Sequence, residues 1–480
     1  MIPKITASAI YSTLGNNSSL VPLAVKDVAN SLGLTAGSYV TGDSLEGKDR
    51  FLDEFGTQAI WLFGLPVYKK ITDLTLYRAL KIDPKVDVRM LEKPDLLDKA
   101  IELSPYVVKQ GARPKHDILK EGLIAMKNNP KFSKTLMISK FGIATLLTIF
   151  SYASLTKYRH KKTREAAKKE IMAQKQKEMA AKQFNKPSLQ SFLNNTKPAD
   201  RSKDNAPAFT GLGSFAAQAG DKLKNFMFDP VQNLMIVDGT ITAERLSDSR
   251  NKQEFIGYSI KEGATWAFMY FASKPIQKFL ENRSVKKHNH SIDLDARVIE
   301  SEDLKKAFAD KMKFEKQMKE FPINGTDVEI YEFLHKNPDN VVVKMAKKSD
   351  EIITLGQSDN WVNKTKKFLH LPYLEIQDKD AIDTRRYLDI GDAEAKSGVK
   401  GIHTKLNNLY KEYLSSGKGL DEFLNMVKKH KRNAVKINLG SCVAALGVAV
   451  PVVMIAVRYL SGNKDFQVKE DLEKELNAQG

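Results

Sequence analysis

Two charged blocks repeat along the chain and are the first place to look for chemistry. DVRMLEKPDL, from Asp87 to Leu96, is answered by DARVIESEDL, from Asp295 to Leu304, so Asp87, Arg89 and Glu92 correspond to Asp295, Arg297 and Glu300. Carboxylates and a guanidinium at this spacing could coordinate an ion or dock a charged partner. They equally suit an ion-paired entry to a helix, where acids in the first turn meet the positive end of the dipole, and the sequence favours that reading. His288, Asn289 and His290, with Asp293 and Asp295 nearby, are ligand types for a metal, but Lys286 and Lys287 beside them disfavour a cation and predict a solvated loop. The other histidines lack ligand spacing. The single cysteine, Cys442, excludes an intrachain disulfide and a Cys-based zinc site.

Asp238–Gly239–Thr240 follows an apolar run and in that respect resembles the phosphotransferase loop of the haloacid dehalogenase superfamily, whose attacking carboxylate lies two residues upstream. Ile236 stands there instead, so the resemblance fails at the residue that would do the chemistry. No Gly-x-Ser-x-Gly elbow, Gly-Lys-Ser/Thr phosphate loop or His-Glu-x-x-His helix is present. Gly211–Leu212–Gly213–Ser214 has no strand before it and reads as linker. The sequence therefore calls for no catalytic residue, no cofactor and no metal, and supports no enzymatic activity.

The elements that would position these residues also repeat. Gly56–Thr57–Gln58–Ala59–Ile60–Trp61–Leu62–Phe63, then Pro66, recurs as Gly263–Ala264–Thr265–Trp266–Ala267–Phe268–Met269–Tyr270, then Pro275. Asp27 in AVKD and Asp238 in MIVD precede the two copies, and an apolar span closes each. Four features in the same order predict a tandem duplication. Trp61 and Trp266 are expected as core or interfacial anchors.

Ile437 to Val457 runs 21 residues without a charge, and at ~1.5 Å per residue this covers a ~30 Å hydrocarbon core. Gly440, Ala444 and Gly447 form a small-residue face suited to close helix packing. The second span, Leu136 to Leu155, needs Lys140 to reach the interface along its aliphatic stem. The repeated Phe55–Tyr68 and Ile260–Lys274 elements are shorter, as expected of buried or interfacial helices.

Charge sits beside the spans. The chain carries +18 with a pI near 9.4. Lys157, Arg159, Lys161, Lys162 and Arg164 follow the first span, and Lys428, Lys429, Lys431 and Arg432 precede the second. Each could gain roughly 1 kcal/mol at anionic headgroups. Nucleic acid is the weaker partner, because Lys157 to Lys186 offers only Tyr158 and Phe184 for stacking. By charge bias the region from Lys157 to Lys436 is cytoplasmic and the acidic tail lies across the membrane. That arrangement sets the two copies on opposite faces. Insertion of the Trp61 and Trp266 helices, a re-entrant first span or a spurious repeat would each remove the conflict.

The expected architecture is mainly α, two tandem related helical units each ending in a transmembrane helix and joined by a basic helix and flexible linker. The first unit covers 1–135, its span 136–156, the basic helix and linker 157–225, the second unit with a helical insertion 226–436, its span 437–458 and the acidic tail 459–480. Without a wide apolar stripe, the basic helix is expected to project into water. The function expected is a non-catalytic integral membrane anchor, scaffold or recruitment module, with the bilayer, a second copy or a protein as partner; the alternative is a transporter or channel subunit built from a duplicated half.

Overall fold

In the computed structural model, the described residues are 6–16, 19–41, 44–77, 79–80, 84–86, 88–105, 107–110, 118–183, 230–250, 252–369, 373–385, 398–460 and 467–478. Most are helical, as the composition predicts. The linker expected around Asn185 to Gly220 lies outside them, and so does Asp87. The chain forms two compact units. One comprises 1–26, 64–147 and 266–444, the other 27–63, 148–265 and 445–480. Each unit therefore combines segments from both halves of the chain.

The first unit is a set of short capped helices. Ser301 caps Glu302–Ala309, which buries Leu304 and Phe308 four residues apart on one face. Thr326 and Glu329 form a reciprocal capping box at the head of Asp327–Lys336. The β-branched run Val341–Val342–Val343 enters a helix, Val341–Lys348, because the Asn340 side chain accepts from the Val342 N–H and fixes the first turn. Phe308, Phe314 and Tyr410 meet with ring centroids 4.3–5.1 Å apart and centre the core. A two-stranded antiparallel sheet pairs Val107–Gln110 with Tyr373–Ile376. The two charged blocks have similar local form: a short helical turn, Val88–Glu92 or Ala296–Ile299, leads into Pro94–Glu102 or Glu302–Ala309.

The second unit contains the ends of longer helices. Span and basic stretch are one continuous helix, Pro130–Gln183. The basic half is exposed beyond Ile171, as expected, but the part nearer the span packs against the protein. Ala167 and Ile171, four residues apart and at most 2 % exposed, pack with Leu45 and with Leu472 of the C-terminal helix Gln467–Ala478. This narrow stripe suffices because the partner helix supplies the matching charges: Arg164 pairs with Glu475 at 2.7 Å and Lys469 with Glu170 at 3.2 Å. The acidic tail thus lies on the basic helix.

Two helices, Pro130–Ala180 and Leu420–Leu460, are long and apolar enough to cross a membrane. Only 39 % and 22 % of their apolar windows are buried. Phe150 is 70 % exposed and Val448 63 %, so neither helix is wrapped by the protein's own side chains.

Candidate functional site

The site is an ion network inside the second unit. Along helix Ser44–Thr72 the positions Asp49, Arg50, Asp53, Glu54, Thr57 and Gln58 recur at i, i+1, i+4, i+5, i+8 and i+9, which places them on one face. Helix Pro130–Gln183 brings Tyr152 and Arg159 to that face, helix Pro230–Ser247 brings Arg245, and Lys252–Thr265 brings Glu254, Tyr258, Lys261 and Glu262. Arg245 contacts Glu262 at 2.5 Å and Asp53 at 3.3 Å, and donates to Tyr152 Oη at 2.8 Å and Thr57 Oγ1 at 3.0 Å. Arg159 lies 3.3 Å from Asp53 and 3.5 Å from Glu254. Arg250 holds Asp49 at 2.8 Å and Glu254 at 2.7 Å, and Lys261 holds Glu54 at 2.9 Å.

Five acids (Asp49, Asp53, Glu54, Glu254, Glu262) thus face five bases (Arg50, Arg159, Arg245, Arg250, Lys261). Buried charges are tolerated only when paired and hydrogen-bonded, and this balance satisfies that condition. Burial pushes the Asp53 carboxyl up, but Arg159, Arg245, Lys261 and Arg50 outweigh it and hold the group well below the usual range. At Glu254 burial also raises the pKa, yet the hydrogen bond and charge of Arg250, with Arg159, bring it to about 2.

Two cavities adjoin the network. The smaller, about 20 Å³, is lined by Asp27, Asn30, Glu54, Trp61, Asp238 and Lys261 among others, and at that volume it matches roughly one water molecule. Asp27 and Asp238, each of which follows a short apolar run in the sequence, both line it. Burial raises the Asp27 carboxyl to about 7, against the pull of Lys261. The buried Asn30 Oδ1 and Trp61 Nε1 have no hydrogen-bond partner among the described residues. The larger cavity, about 410 Å³, is lined by Arg50, Arg159, Arg250 and Arg458 together with the apolar Pro451, Met454 and Ile455.

The residues picked from sequence are dispersed. Lys157, Lys161, Lys162 and Arg164 are exposed, whereas Arg159 is buried in the network. Lys429 is exposed, but buried Lys431 donates to the Ile292 carbonyl at 2.7 Å. Arg432 and Lys428 meet Glu300 at 2.8 and 3.6 Å. Asp295 caps Ala296–Ile299 and accepts from Ser12 at 2.5 Å, while Arg297 pairs with Asp350 at 2.6 Å. In the first block Glu92 lies 3.8 Å from Lys134; Arg89 lies in the Val88–Glu92 turn. Of the small residues, Gly447 makes a close helix crossing: a Cβ on Gly33 would stand 2.1 Å from its carbonyl oxygen. Gly440 meets nothing within 4 Å, and Ala444 is exposed.

The histidine loop is not solvated throughout. Asn289 takes a left-handed conformation that ends helix Ser273–His288 and turns His290 inward. There His290 Nε2 meets His430 Nδ1 at 2.8 Å, and burial lowers the His290 pKa to about 4. Among the described residues no group of three or more His, Cys, Asp or Glu is placed to hold a metal.

The acids and bases of the network escaped the sequence reading because Asp53, Arg159 and Arg245 are about a hundred residues apart in the chain. The available signal was the charged face at Asp49, Arg50, Asp53 and Glu54 leading into the apolar Gly56–Phe63 element. No protein-family model, curated protein or solved structure matches the chain.

Proposed function

We propose that the protein is a non-catalytic integral membrane protein that anchors or recruits at the membrane through a basic face. The observation that carries this reading is the outward apolar surface of Leu420–Leu460, whose apolar window has a mean hydropathy of 2.3 and is 22 % buried. Exposed Val448, Val452 and Val453 would each cost about 1.5–3 kcal/mol in water relative to burial; lipid removes that cost. Exposed Lys157, Lys161, Lys162 and Arg164 follow the first span and suit anionic headgroups. The protein remains in the pellet after carbonate extraction on this account; release into the supernatant sinks it.

Within this reading the tail bears on the number of crossings. Arg164–Glu475 and Lys469–Glu170 join the segments that follow the two spans, so both spans leave the bilayer on the same side. An odd number of crossings must then lie between them, which replaces the two-span arrangement with the tail across the membrane. Ile260–Lys274 is the available element, with Phe271 56 % exposed, and by the repeat Phe55–Tyr68 is its counterpart, with Phe63 63 % exposed. Both are short for a full span. Segments Lys69–Thr135 and Pro275–Lys436 then share a face, as an even number of spans per copy requires. The charge-bias objection weakens as well, because Lys428, Lys431 and Arg432 are taken up by Glu300 and the Ile292 carbonyl.

A second reading, a transporter or channel subunit built from a duplicated half, is favoured by the meeting of Asp27 and Asp238 in one cavity beside the Glu54 and Lys261 pair. Ionisable groups so placed mark ion or proton paths in membrane proteins. Liposomes containing the protein and a pH-sensitive dye test it: proton leak abolished by Asp27→Asn supports this reading, and flux equal to empty liposomes removes it.

A further inference from the structure

The 410 Å³ cavity falls in the size range of small-molecule sites, ~300–1,000 Å³, and its lining is of two kinds. Its lining includes five cations, Arg50, Arg159, Arg250, Lys252 and Arg458, and three carboxylates, Glu46, Asp49 and Glu254. The carboxylates are already committed: Glu46 to Arg458 at 2.7 Å, Asp49 and Glu254 to Arg250. Arg50 and Arg159 are themselves answered by Glu54 and Asp53, so the charge left over is that of Lys252. Lys252 is exposed and has no ion pair among the described residues. Arg159 Nε and Arg250 Nη1 are buried N–H groups without an acceptor. A buried guanidinium N–H left unpaired costs about 1–3 kcal/mol or more, which an anion's oxygen would recover. The apolar part of the lining is formed by Pro451, Met454, Ile455 and Val457 with Leu34 and Ile260.

We propose that this cavity binds an anionic amphiphile, its phosphate or carboxylate head at Arg159, Arg250 and Lys252 and its alkyl chain along Pro451, Met454 and Ile455. A free anion would leave the apolar lining unused, and a neutral alkyl chain would leave the guanidinium donors unpaired. The lining also suits a bilayer: Pro451, Met454, Ile455 and Val457 belong to the second span, and Arg458 follows them near its end. The chemistry is read from the cavity itself, and only the source of the ligand, lipid or a soluble amphiphile, depends on the membrane reading.

The test uses the full chain in a neutral maltoside detergent, with bound adducts counted by native mass spectrometry. Dodecyl phosphate should form a single adduct at about tenfold lower concentration than dodecanol or inorganic phosphate, the gain of one charge-assisted contact. Gly257→Leu adds bulk on the Met454 side, where a Cβ would lie 3.4 Å from Met454 Cε, and replaces no charge. It should abolish the adduct while the melting temperature stays that of the parent. Lys252→Gln should weaken dodecyl phosphate about fivefold, a typical single exposed charge, and leave dodecanol unchanged. Equal binding of inorganic phosphate, equal binding of dodecanol, or an adduct indifferent to Gly257→Leu overturns the proposal. Phosphatidylglycerol that displaces dodecyl phosphate identifies a bilayer lipid, and failure to displace identifies a soluble single-chain ligand; both keep the site. Adducts on carbonate-released protein would leave the cavity standing while the membrane reading fell.

Discussion

At the scale of single residues the account turns on paired burial. Arg245 answers Asp53 and Glu262 at once, so Arg245→Met takes a buried partner from each, leaving Asp53 to Arg159 and Glu262 to Lys261. A loss of roughly 3–5 kcal/mol is expected, read from denaturant unfolding in detergent; a loss under about 1 kcal/mol, the range of exposed pairs, would show the network to be solvated. The pH dependence has two signs. Asp27, raised to about 7 by burial, keeps in the folded state a proton that the unfolded chain releases near its ordinary value of 3.8. It therefore favours folding at low pH, and stability falls as pH rises from about 4 to about 7. Glu254, lowered to about 2, does the reverse: its contribution is full above its ordinary 4.5 and is lost as pH falls toward 2. Melting curves of Asp27→Asn should accordingly lose the decline between pH 4 and 7 and keep the acid limb. An unchanged decline would place its cause elsewhere. Little of this was legible in sequence. Thr326 with Glu329 is a local signal and could be read as a cap from four residues, whereas the partners of Asp53 are fixed only when three other helices arrive.

At the scale of elements, close approach and charge matching do the positioning. The helices carrying Gly33 and Gly447 cross so closely that Gly33→Ala sets a methyl against the Gly447 carbonyl. That overpacking should cost about 1–3 kcal/mol, whereas Gly440→Ala, with open space around it, should be neutral within about 0.5 kcal/mol. Thermal melts of the two variants side by side check the contrast, and equal effects would deny the crossing. The small-residue pattern was legible, but not which glycine meets a partner, because that depends on the rotation of the helix. The basic helix misled for a related reason. Its two buried apolar positions, Ala167 and Ile171, are too few to stand out in an amphipathic pattern, and their partner Leu472 lies some three hundred residues away. Truncation after 466 should bare Leu45 and Ile171, at about 1.5–3 kcal/mol for each side chain exposed, and speed tryptic cleavage at Lys168 and Lys169. Cleavage at the parent rate would mean that the tail helix does not hold there.

For the whole molecule, composition and patterning announce a mainly helical chain with two apolar spans, and the structure has both. The crossing number proposed above was not legible, since charge bias counts every lysine and arginine alike while Arg159, Lys431 and Arg432 are consumed inside the fold. The most direct test of the membrane account is labelling of single cysteines, in chains carrying Cys442→Ser, by an impermeant maleimide applied to sealed vesicles of known orientation. With reporters at Lys177, Glu473 and Lys316, the account predicts that Lys177 and Glu473 label from the same side and Lys316 only after the vesicles are opened, or the converse in inverted vesicles. Labelling of Lys177 and Glu473 from opposite sides, or of all three from one side, would contradict it.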